Sequence, residues 1–330
     1  IKVWNGESFT STVVHKTGIS QKIIEVETSN GSTLKCTKYH KFYVHEKVPR
    51  HKPKNMHKNP KWVKVVDAQN LKPGMKIIKC EFPVLDSEKR FKYAYTHGAF
   101  CGDGTYVRKL EDTYYCDKKS LKNRAYCGRH IECQQEDEVS NKCRRIIGSG
   151  IPSLSLYGEK KELMKYLDLR ENLTPHEDKH GRLNCMLPLD IDDKYDLPIN
   201  CCISDKLNWL AGYADMDGTI ARNGSNESLQ ITSINREFLN NVKLMLQTLG
   251  CDPKVTLNRN ERNSLLPDGQ DGLKEYKCNA TYRLLVNSND LYKLLNLGFS
   301  PRRLQINTRK PQRNARQFNC IKSVVDRGQV

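Results

Sequence analysis

Leu210-Ala-Gly-Tyr-Ala-Asp-Met-Asp-Gly-Thr219 is matched 114 residues earlier in the chain by Thr96-His-Gly-Ala-Phe-Cys-Gly-Asp-Gly-Thr105. A second pair of matching segments, Ser153–Leu156 and Ser228–Ile231, is only 75 residues apart. The chain therefore contains an internal repeat, and the smaller spacing predicts a 39-residue insertion in the first copy between residues 107 and 152. Each copy has the pattern helix, strand, strand, helix, strand, strand, which predicts α+β units related by a pseudo-twofold axis. Inert duplication is the alternative.

The repeated segments are predicted to end two apolar helices, at Asp103 and at Asp217. A carboxylate at this end of a helix faces the negative pole of the helix dipole, so a cation is expected to compensate it. A divalent metal with oxygen ligands would do so. Gly98 and Gly212 would let the helices approach closely and place the two aspartates side by side. An ordinary Asp-Gly turn is the alternative for one copy alone, whereas the matched pair favours metal-dependent phosphodiester hydrolysis.

The segment Leu210–Gly218 resembles the signature of the LAGLIDADG homing endonucleases, and His97–Gly104 resembles the degenerate first copy of a single-chain member. The resemblance implies paired αββαββ subdomains whose sheets bind a long, asymmetric site in double-stranded DNA as a monomer. It also implies that Asp103 and Asp217 hold Mg²⁺, together with the backbone carbonyls of Gly102 and Met216, and that each strand is cut once. A lysine near the cleavage centre is further implied, and the candidates that stay open are Lys179, Lys274 and Lys277.

Residues 1–92 are predicted to be β-rich, and they resemble the Hint domain of inteins, which performs protein splicing. The resemblance rests on Thr37-Lys-Tyr-His40, on the segment Trp62–Met75 and on Cys320–Val325, which is expected to return to this domain. It implies that Thr37 and His40 assist cleavage of a peptide bond to a host extein protein. Because no Cys or Ser stands at Ile1 and no His-Asn stands at Val330, we expect the chain as given not to splice.

The predicted insertion, at about residues 110–150, is rich in cysteine. Its spacing favours a zinc knuckle that binds one structural Zn²⁺, and unliganded thiols in a loop are the alternative. His130 is a reserve ligand, and the ligands that we favour are Cys116, Cys127, Cys133 and Cys143. The sequence as given has 13 cysteines and no recognisable secretory signal, which favours a reducing, intracellular compartment.

The net charge of +17, from 55 basic and 38 acidic residues, predicts a polyanionic partner. No apolar run approaches the roughly 18 residues of a membrane span. DNA contacts are expected from basic residues on the predicted strands and loops: Lys179, Arg182, Arg222, Lys254, Arg259, Arg262, Lys274 and Lys277.

The sequence thus predicts an α+β protein with three parts. Residues 1–92 and 313–330 form a Hint-like splicing domain, and residues 93–312 form an endonuclease domain whose repeats span 93–203 and 204–312. We expect an intein-encoded homing endonuclease. The alternatives are a sequence-specific nucleic-acid-binding or RNA-maturase-like module that has lost cleavage, and a Hint element with a decayed repeat domain. Intact Asp103 and Asp217 argue against the former.

Overall fold

Several antiparallel sheets and four α-helices make up the described part of the chain. A computed structural model describes residues 1–45, 63–107, 110–115, 133–137, 142–146, 151–224, 226–267, 272–307, 311 and 318–329. Separate hydrophobic cores lie in the N-terminal sheet and in each of the two repeats. The predicted α+β class is therefore confirmed. None of the described helices combines the length and the apolar character that crossing a membrane requires.

The N-terminal region consists of short strands. A hairpin of β1 (Lys2–Trp4) and β2 (Phe9–Ser11) opens the chain. It is followed by β3 (Lys22–Thr28), β4 (Thr33–Thr37), β5 (Lys41–His45), β6 (Val63–Asp67) and β7 (Lys76–Ile78). Strand β3 buries Ile24 and Val26 at alternate positions, as its sequence pattern predicts.

The first repeat begins with α1 (Ala94–Asp103) and β8 (Gly104–Val107). The insertion follows as a three-stranded antiparallel sheet of β9 (Leu110–Tyr115), β10 (Cys133–Asp137) and β11 (Lys142–Ile146). The repeat continues with β12 (Ile151–Leu156), a 3₁₀ helix (Gly158–Tyr166), β13 (His176–Glu177) and β14 (Leu183–Met186).

The second repeat has the same order of elements. Its main elements are α2 (Ile203–Asp217), β15 (Gly218–Asn223), β16 (Asn226–Ser233), α3 (Arg236–Gln247), β17 (Lys254–Arg259), a hairpin of β18 (Arg262–Pro267) and β19 (Leu273–Cys278), β20 (Thr281–Val286) and α4 (Ser288–Asn296). The sheet orders, β8-β12-β14-β13 and β15-β16-β20-β17, correspond strand for strand.

The strand register corrects the size of the insertion. The glycine after each signature helix pairs with Leu154 in the first repeat and with Ile231 in the second, so the offset is 77 residues and the insertion is 37 residues. The sequence comparison was wrong by two residues because side chains in a strand alternate with a period of two, so that a two-residue shift leaves the pattern in phase.

The second helix of the first repeat also differs from its prediction, which placed a helix at Lys160–Leu169. The segment is a 3₁₀ helix in which only Leu163 is buried. Its counterpart α3 buries six residues along one face, and Asn235 caps its N-terminus by accepting a hydrogen bond from the Phe238 N–H at 3.0 Å. In the first-repeat segment Leu163 alone is fully buried, and Met164, Leu167 and Leu169 pack against the same core while partly exposed.

The last described strand, β21 (Phe318–Gln329), returns to the N-terminal sheet. It pairs antiparallel with β3 and with β7, giving the strand order β4-β3-β21-β7-β5-β6. The residues between β7 and β21 thus form an excursion out of one sheet.

The turn between β3 and β4 docks on the second repeat. The Asn30 carbonyl accepts hydrogen bonds from the Val255 N–H at 3.0 Å and from Lys243 Nζ at 3.1 Å. Gly31 has a φ of +82°, and a Cβ atom there would lie 1.8 Å from the Val255 carbonyl oxygen. Lys79 forms an ion pair with Asp252 at 2.6 Å beside this turn. Hydrogen bonds and an ion pair therefore hold the N-terminal sheet against the second repeat.

Helices α1 and α2 pack without side chains between them at two positions. A Cβ atom on Gly98 would lie 2.0 Å from the Trp209 carbonyl oxygen, and one on Gly212 would lie 1.9 Å from the Tyr95 carbonyl oxygen. These contacts are related by the 114-residue repeat, so each glycine packs on the corresponding backbone of the partner helix. Only glycine permits this approach.

We expect Gly212→Ala to force the two helices apart and to lower the free energy of unfolding by about 3 kcal/mol or more. Asn208→Ala is the matched control, because Asn208 is an exposed position of the same helix, and we expect it to change the stability by less than about 0.5 kcal/mol. Urea denaturation measures both. Equal stability of the two variants would contradict the packing described.

Candidate active site

The C-terminal ends of α1 and α2 meet at one point. A Cβ atom on Gly102 would lie 2.6 Å from Met216 Cβ and 3.5 Å from Asp217 Cγ. Burial, followed by the charge of Asp103, raises the pKa of Asp217 to about 6. The close approach of the helices thus brings two carboxylates into electrostatic contact, as the repeat predicts.

The glycines that follow these aspartates adopt extended backbone, with φ values of −74° at Gly104 and −85° at Gly218. The chain passes directly from each helix into a strand. A Cβ atom on Gly218 would lie 2.4 Å from the Ala214 carbonyl oxygen, and one on Gly104 would lie 2.3 Å from the Phe100 carbonyl oxygen. Glycine is required at these two positions because a Cβ atom would collide with a carbonyl oxygen of the preceding helix. The left-handed conformation that is common at helix ends is not adopted here.

Lys160 lies beside the acidic pair. Its Nζ donates to Asp103 Oδ2 at 2.5 Å, and both side chains are about one quarter exposed. Its charge also acts on Asp217, where it opposes the increase in pKa. The 3₁₀ helix of the first repeat therefore supplies a cation to the centre.

Two further cations occupy equivalent positions. Lys194 Nζ donates to the Gly104 carbonyl at 2.5 Å, and Arg303 Nη2 donates to the Gly218 carbonyl at 2.9 Å. Both residues follow the last sheet strand of their repeat, and both charges act on Asp217. These cations compensate the negative ends of the two helices, a role that the sequence analysis assigned to a metal.

Asp215 has a different role from Asp217. It is fully buried, and its carboxylate accepts hydrogen bonds from Tyr95 Oη at 2.8 Å and from the backbone N–H groups of Arg302 and Arg303 at 2.7 and 2.9 Å. All of these partners belong to the protein. Asp215 therefore fixes the segment that carries Arg303.

The lysine candidates named from the sequence lie elsewhere. Lys274 and Lys277 are exposed on β19, where Lys277 forms an ion pair with Glu261 at 3.4 Å, and Lys179 is exposed in the turn between β13 and β14. Lys160 lies within a predicted helix, but nothing in the surrounding sequence indicated that it contacts the acidic pair. Lys194 and Arg303 were missed because they are 109 residues apart, which differs from the repeat offset, and because their types differ.

The open face of the second-repeat sheet is polar. Its strands bury Leu229, Ile231 and Leu284 against the helices, so the alternate residues point away from the core. The open-face residues are Thr219, Ala221, Asn223, Ser228, Gln230, Thr232, Lys254, Thr256, Arg283 and Leu285. Such donors and acceptors suit the edges of bases in a major groove.

The other basic residues predicted to contact DNA lie in several environments. Arg222 bonds to the buried Glu227 at 2.9 Å and to the Gln305 carbonyl at 2.9 Å, so its guanidinium is engaged away from the open face. Arg182 forms an ion pair with Asp178 at 2.6 Å. Arg259 ends β17 and Arg262 begins β18, and both are exposed.

The predicted splicing residues are close in the chain and in space. The His40 N–H donates to the Thr37 carbonyl at 3.1 Å, and the His40 carbonyl accepts from the Ala68 N–H at 2.8 Å. The imidazole is exposed and contacts the Phe42 ring edge-on, with 5.3 Å between ring centroids. The two residues therefore share one turn between β4 and β5.

Two of the four predicted zinc ligands lie on strands of the insertion sheet. Cys133 and Cys143 lie on β10 and β11, whereas Cys116 and Cys127, together with the reserve ligand His130, lie outside the described residues. In the described part of the chain, no group of three or more metal-binding side chains is found. The zinc site stays a prediction.

The acidic pair fits one kind of metal ion. Two carboxylates with the adjacent carbonyls of Gly102 and Met216 provide only oxygen ligands. Mg²⁺ prefers such ligands, and it is commonly bound by one or two carboxylates with water and substrate phosphates. Burial and, after it, the charge of Asp103 raise the pKa of Asp217, so the ionised carboxylate is disfavoured here and a cation would stabilise it.

We expect Asp217→Asn to stabilise the metal-free protein at neutral pH. The folded-state pKa of about 6 lies above the ordinary value of 3.8, so ionisation of this carboxyl is penalised only in the folded state. The penalty is absent below about pH 4, grows as the pH rises through 6, and reaches about 1 to 3 kcal/mol at neutral pH.

Urea denaturation in the presence of a chelator, from about pH 4.5 to about pH 7.5, measures this effect. The control is Asp326→Asn, because Lys38 lowers the pKa of Asp326 and its removal should give no such gain. A difference between Asp217→Asn and the wild type that is independent of pH would contradict the account.

Comparisons with known proteins agree with this geometry for the second repeat. Residues 204–297, which run from the start of α2 to just beyond α4, match the LAGLIDADG-like domain. Mesophilic variants of the homing endonuclease I-DmoI align with 65% of this chain and 92% of their own, at 14% identity. The TM-score of 0.34 is too low to establish a shared fold.

Three curated relatives are ribonucleoside-diphosphate reductases. The large subunit from Invertebrate iridescent virus 6 is 41% identical over 333 residues, which cover all of this chain and 30% of the relative. The NrdEB subunits alpha of Bacillus subtilis and of Bacillus phage SPbeta are each 24% identical over 285 residues, which cover 82% of this chain and 24% of theirs. The chain thus spans less than a third of the length of these relatives, and its second repeat is similar to the LAGLIDADG-like domain.

Proposed function

We propose that this chain is a site-specific homing endonuclease that cuts both strands of DNA once, at a long asymmetric site. The observation that carries the proposal is the meeting of Asp103 and Asp217 at the base of the α1–α2 pair, with the two related sheets extending from it. Asp217 is held in a buried position beside the charge of Asp103, which is costly for the fold. Such an arrangement is typical of a functional site.

In this proposal the two aspartates hold Mg²⁺, with the carbonyls of Gly102 and Met216 nearby. The chemistry that a bound Mg²⁺ supplies is polarisation of the phosphate and activation of water. The ammonium groups of Lys160 and Lys194 and the guanidinium of Arg303 stabilise negative charge that develops on the phosphate. Their hydrogen bonds to the chain fix these cations before DNA binds.

The polar open face of the second-repeat sheet supplies base contacts, and exposed basic residues supply phosphate contacts. Lys254 and Arg283 lie on the sheet itself, while Arg259, Arg262 and Lys274 extend the basic surface along and beyond β17. Phosphate contacts by such residues make affinity fall with increasing salt concentration. The net charge of +17 supports this partner.

We further propose that the endonuclease is part of an intein inserted in the large subunit of a ribonucleoside-diphosphate reductase. The similarity to less than a third of three such proteins supports an inserted segment. The excursion of the chain between β7 and β21 out of one N-terminal sheet supports a splicing domain that is interrupted by the nuclease. The Zn²⁺ bound by the insertion cysteines belongs to the same proposal and rests on their spacing.

Cleavage of a defined plasmid tests the proposal. The plasmid carries the reductase large-subunit gene joined directly across the insertion point, and it is incubated with the protein and Mg²⁺. We expect linear product from the wild type and at least a hundredfold slower cleavage by Asp217→Asn, because the metal loses a carboxylate. Asp326→Asn, at an exposed position of β21, is the control and should cut at the wild-type rate.

Binding without cleavage by the wild type would instead support a module that has lost nuclease activity. If the wild type neither binds nor cuts this plasmid, the proposed target is contradicted. Cleavage by Asp217→Asn at the wild-type rate would contradict the proposed active site.

A further inference from the structure

Lys194 is held in a short segment whose backbone is strained. The next residue, Tyr195, has a φ of +85°, which is unusual for any residue other than glycine. Such a conformation persists only where the surroundings stabilise it. The contacts that stabilise residues 192–196 therefore also determine where the Lys194 ammonium lies.

Two side chains of the first repeat make those contacts. His97 Nε2 lies 3.0 Å from the Asp193 carbonyl oxygen, and Tyr106 Oη accepts a hydrogen bond from the Lys194 N–H at 3.1 Å. The Tyr106 hydroxyl is also 3.5 Å from Asp193 Oδ1. Both polar groups of the Asp193–Lys194 peptide, its carbonyl and its N–H, are thus anchored by side chains of α1 and β8.

The imidazole of His97 is itself fixed by the second repeat. Trp209 Nε1 donates to His97 Nδ1 at 2.9 Å, and both residues are fully buried in the helix interface. Because Nδ1 accepts, Nε2 carries the proton and donates to the Asp193 carbonyl. Burial lowers the pKa of His97, which keeps the ring neutral and preserves this tautomer.

This arrangement exists in the first repeat only. The residue that corresponds to His97 in the second repeat is Ala211, which offers no hydrogen bond from its side chain. Arg303, the counterpart of Lys194, is held by Asp215 through its backbone N–H and by the Asp215 carbonyl at 2.5 Å from its Nε. The two cations are therefore positioned by different means.

We propose that His97 is a positioning residue for Lys194, and that its hydrogen bond to Asp193 is needed for efficient cleavage of only one of the two DNA strands. This inference rests on the proposed endonuclease function. Lysine is a point charge on a flexible stem, so its effect on a phosphate depends on where its backbone is fixed. A displacement of about 1 Å is enough to slow such a step about a hundredfold.

The test follows each strand separately. A duplex containing the junction sequence of the reductase gene is labelled differently on its two strands and cut under single-turnover conditions with Mg²⁺. Lys194→Met first identifies the strand that depends on Lys194. We expect His97→Leu to slow that same strand at least tenfold while the other strand stays within about twofold of the wild type, so that nicked DNA accumulates.

Two further variants separate positioning from folding. His97→Gln retains an amide N–H within reach of the Asp193 carbonyl, and it should recover most of the lost rate. Tyr106→Phe removes only the hydroxyl that accepts from the Lys194 N–H, and it should slow the same strand. Hydrogen exchange gives a readout that is independent of cleavage, because His97→Leu should increase exchange in residues 192–196 and leave α3 protected.

Equal slowing of both strands by His97→Leu and Tyr106→Phe, or no slowing by either, would overturn the inference. If His97→Leu does not fold, the strand preference of Tyr106→Phe decides the question alone. Failure of the wild type to cut either strand would instead count against the proposed endonuclease function.

Discussion

The contact between the backbones of α1 and α2 is the constraint on which the rest of this structure depends. Gly98 and Gly212 allow each helix to pack on a carbonyl oxygen of the other, and the separation of the helix ends follows from that contact. The same approach places Asp103 and Asp217 together, at the points where the two helices lead into the first strands of their sheets. One packing interaction thereby couples the two repeats, the acidic centre and the polar surface.

Bringing two carboxylates to the negative ends of two helices is electrostatically unfavourable, and the chain compensates it with cations. Lys160, Lys194 and Arg303 all act on Asp217, and the last two bind equivalent glycine carbonyls. The compensation is incomplete, because the pKa of Asp217 stays above its ordinary value. The centre can therefore gain stability from an added cation, which is the property that a metal-dependent nuclease requires.

The sequence was sufficient for the features that depend on local pattern. The repeated Gly and Asp-Gly positions predicted the helix pair and its acidic end, and the alternation in β3 predicted a half-buried strand. Features that depend on tertiary contacts could not be predicted from the sequence. Lys194 and Arg303 act from connecting segments with no shared motif. Lys160 lies in a 3₁₀ helix where an α-helix was predicted, and Arg222 is engaged by Glu227. The two-residue error in the insertion length arose because a strand pattern repeats every two residues.

Locating a bound metal ion tests directly whether Asp103 and Asp217 hold it. Crystals of the protein grown with the junction DNA of the reductase gene, and with Mn²⁺ in place of Mg²⁺, give anomalous diffraction from the metal. We expect an anomalous peak in contact with the carboxylates of both Asp103 and Asp217, and we expect this peak to be lost in Asp217→Asn. A peak bound only at other side chains, or a peak that persists unchanged in Asp217→Asn, would contradict this expectation.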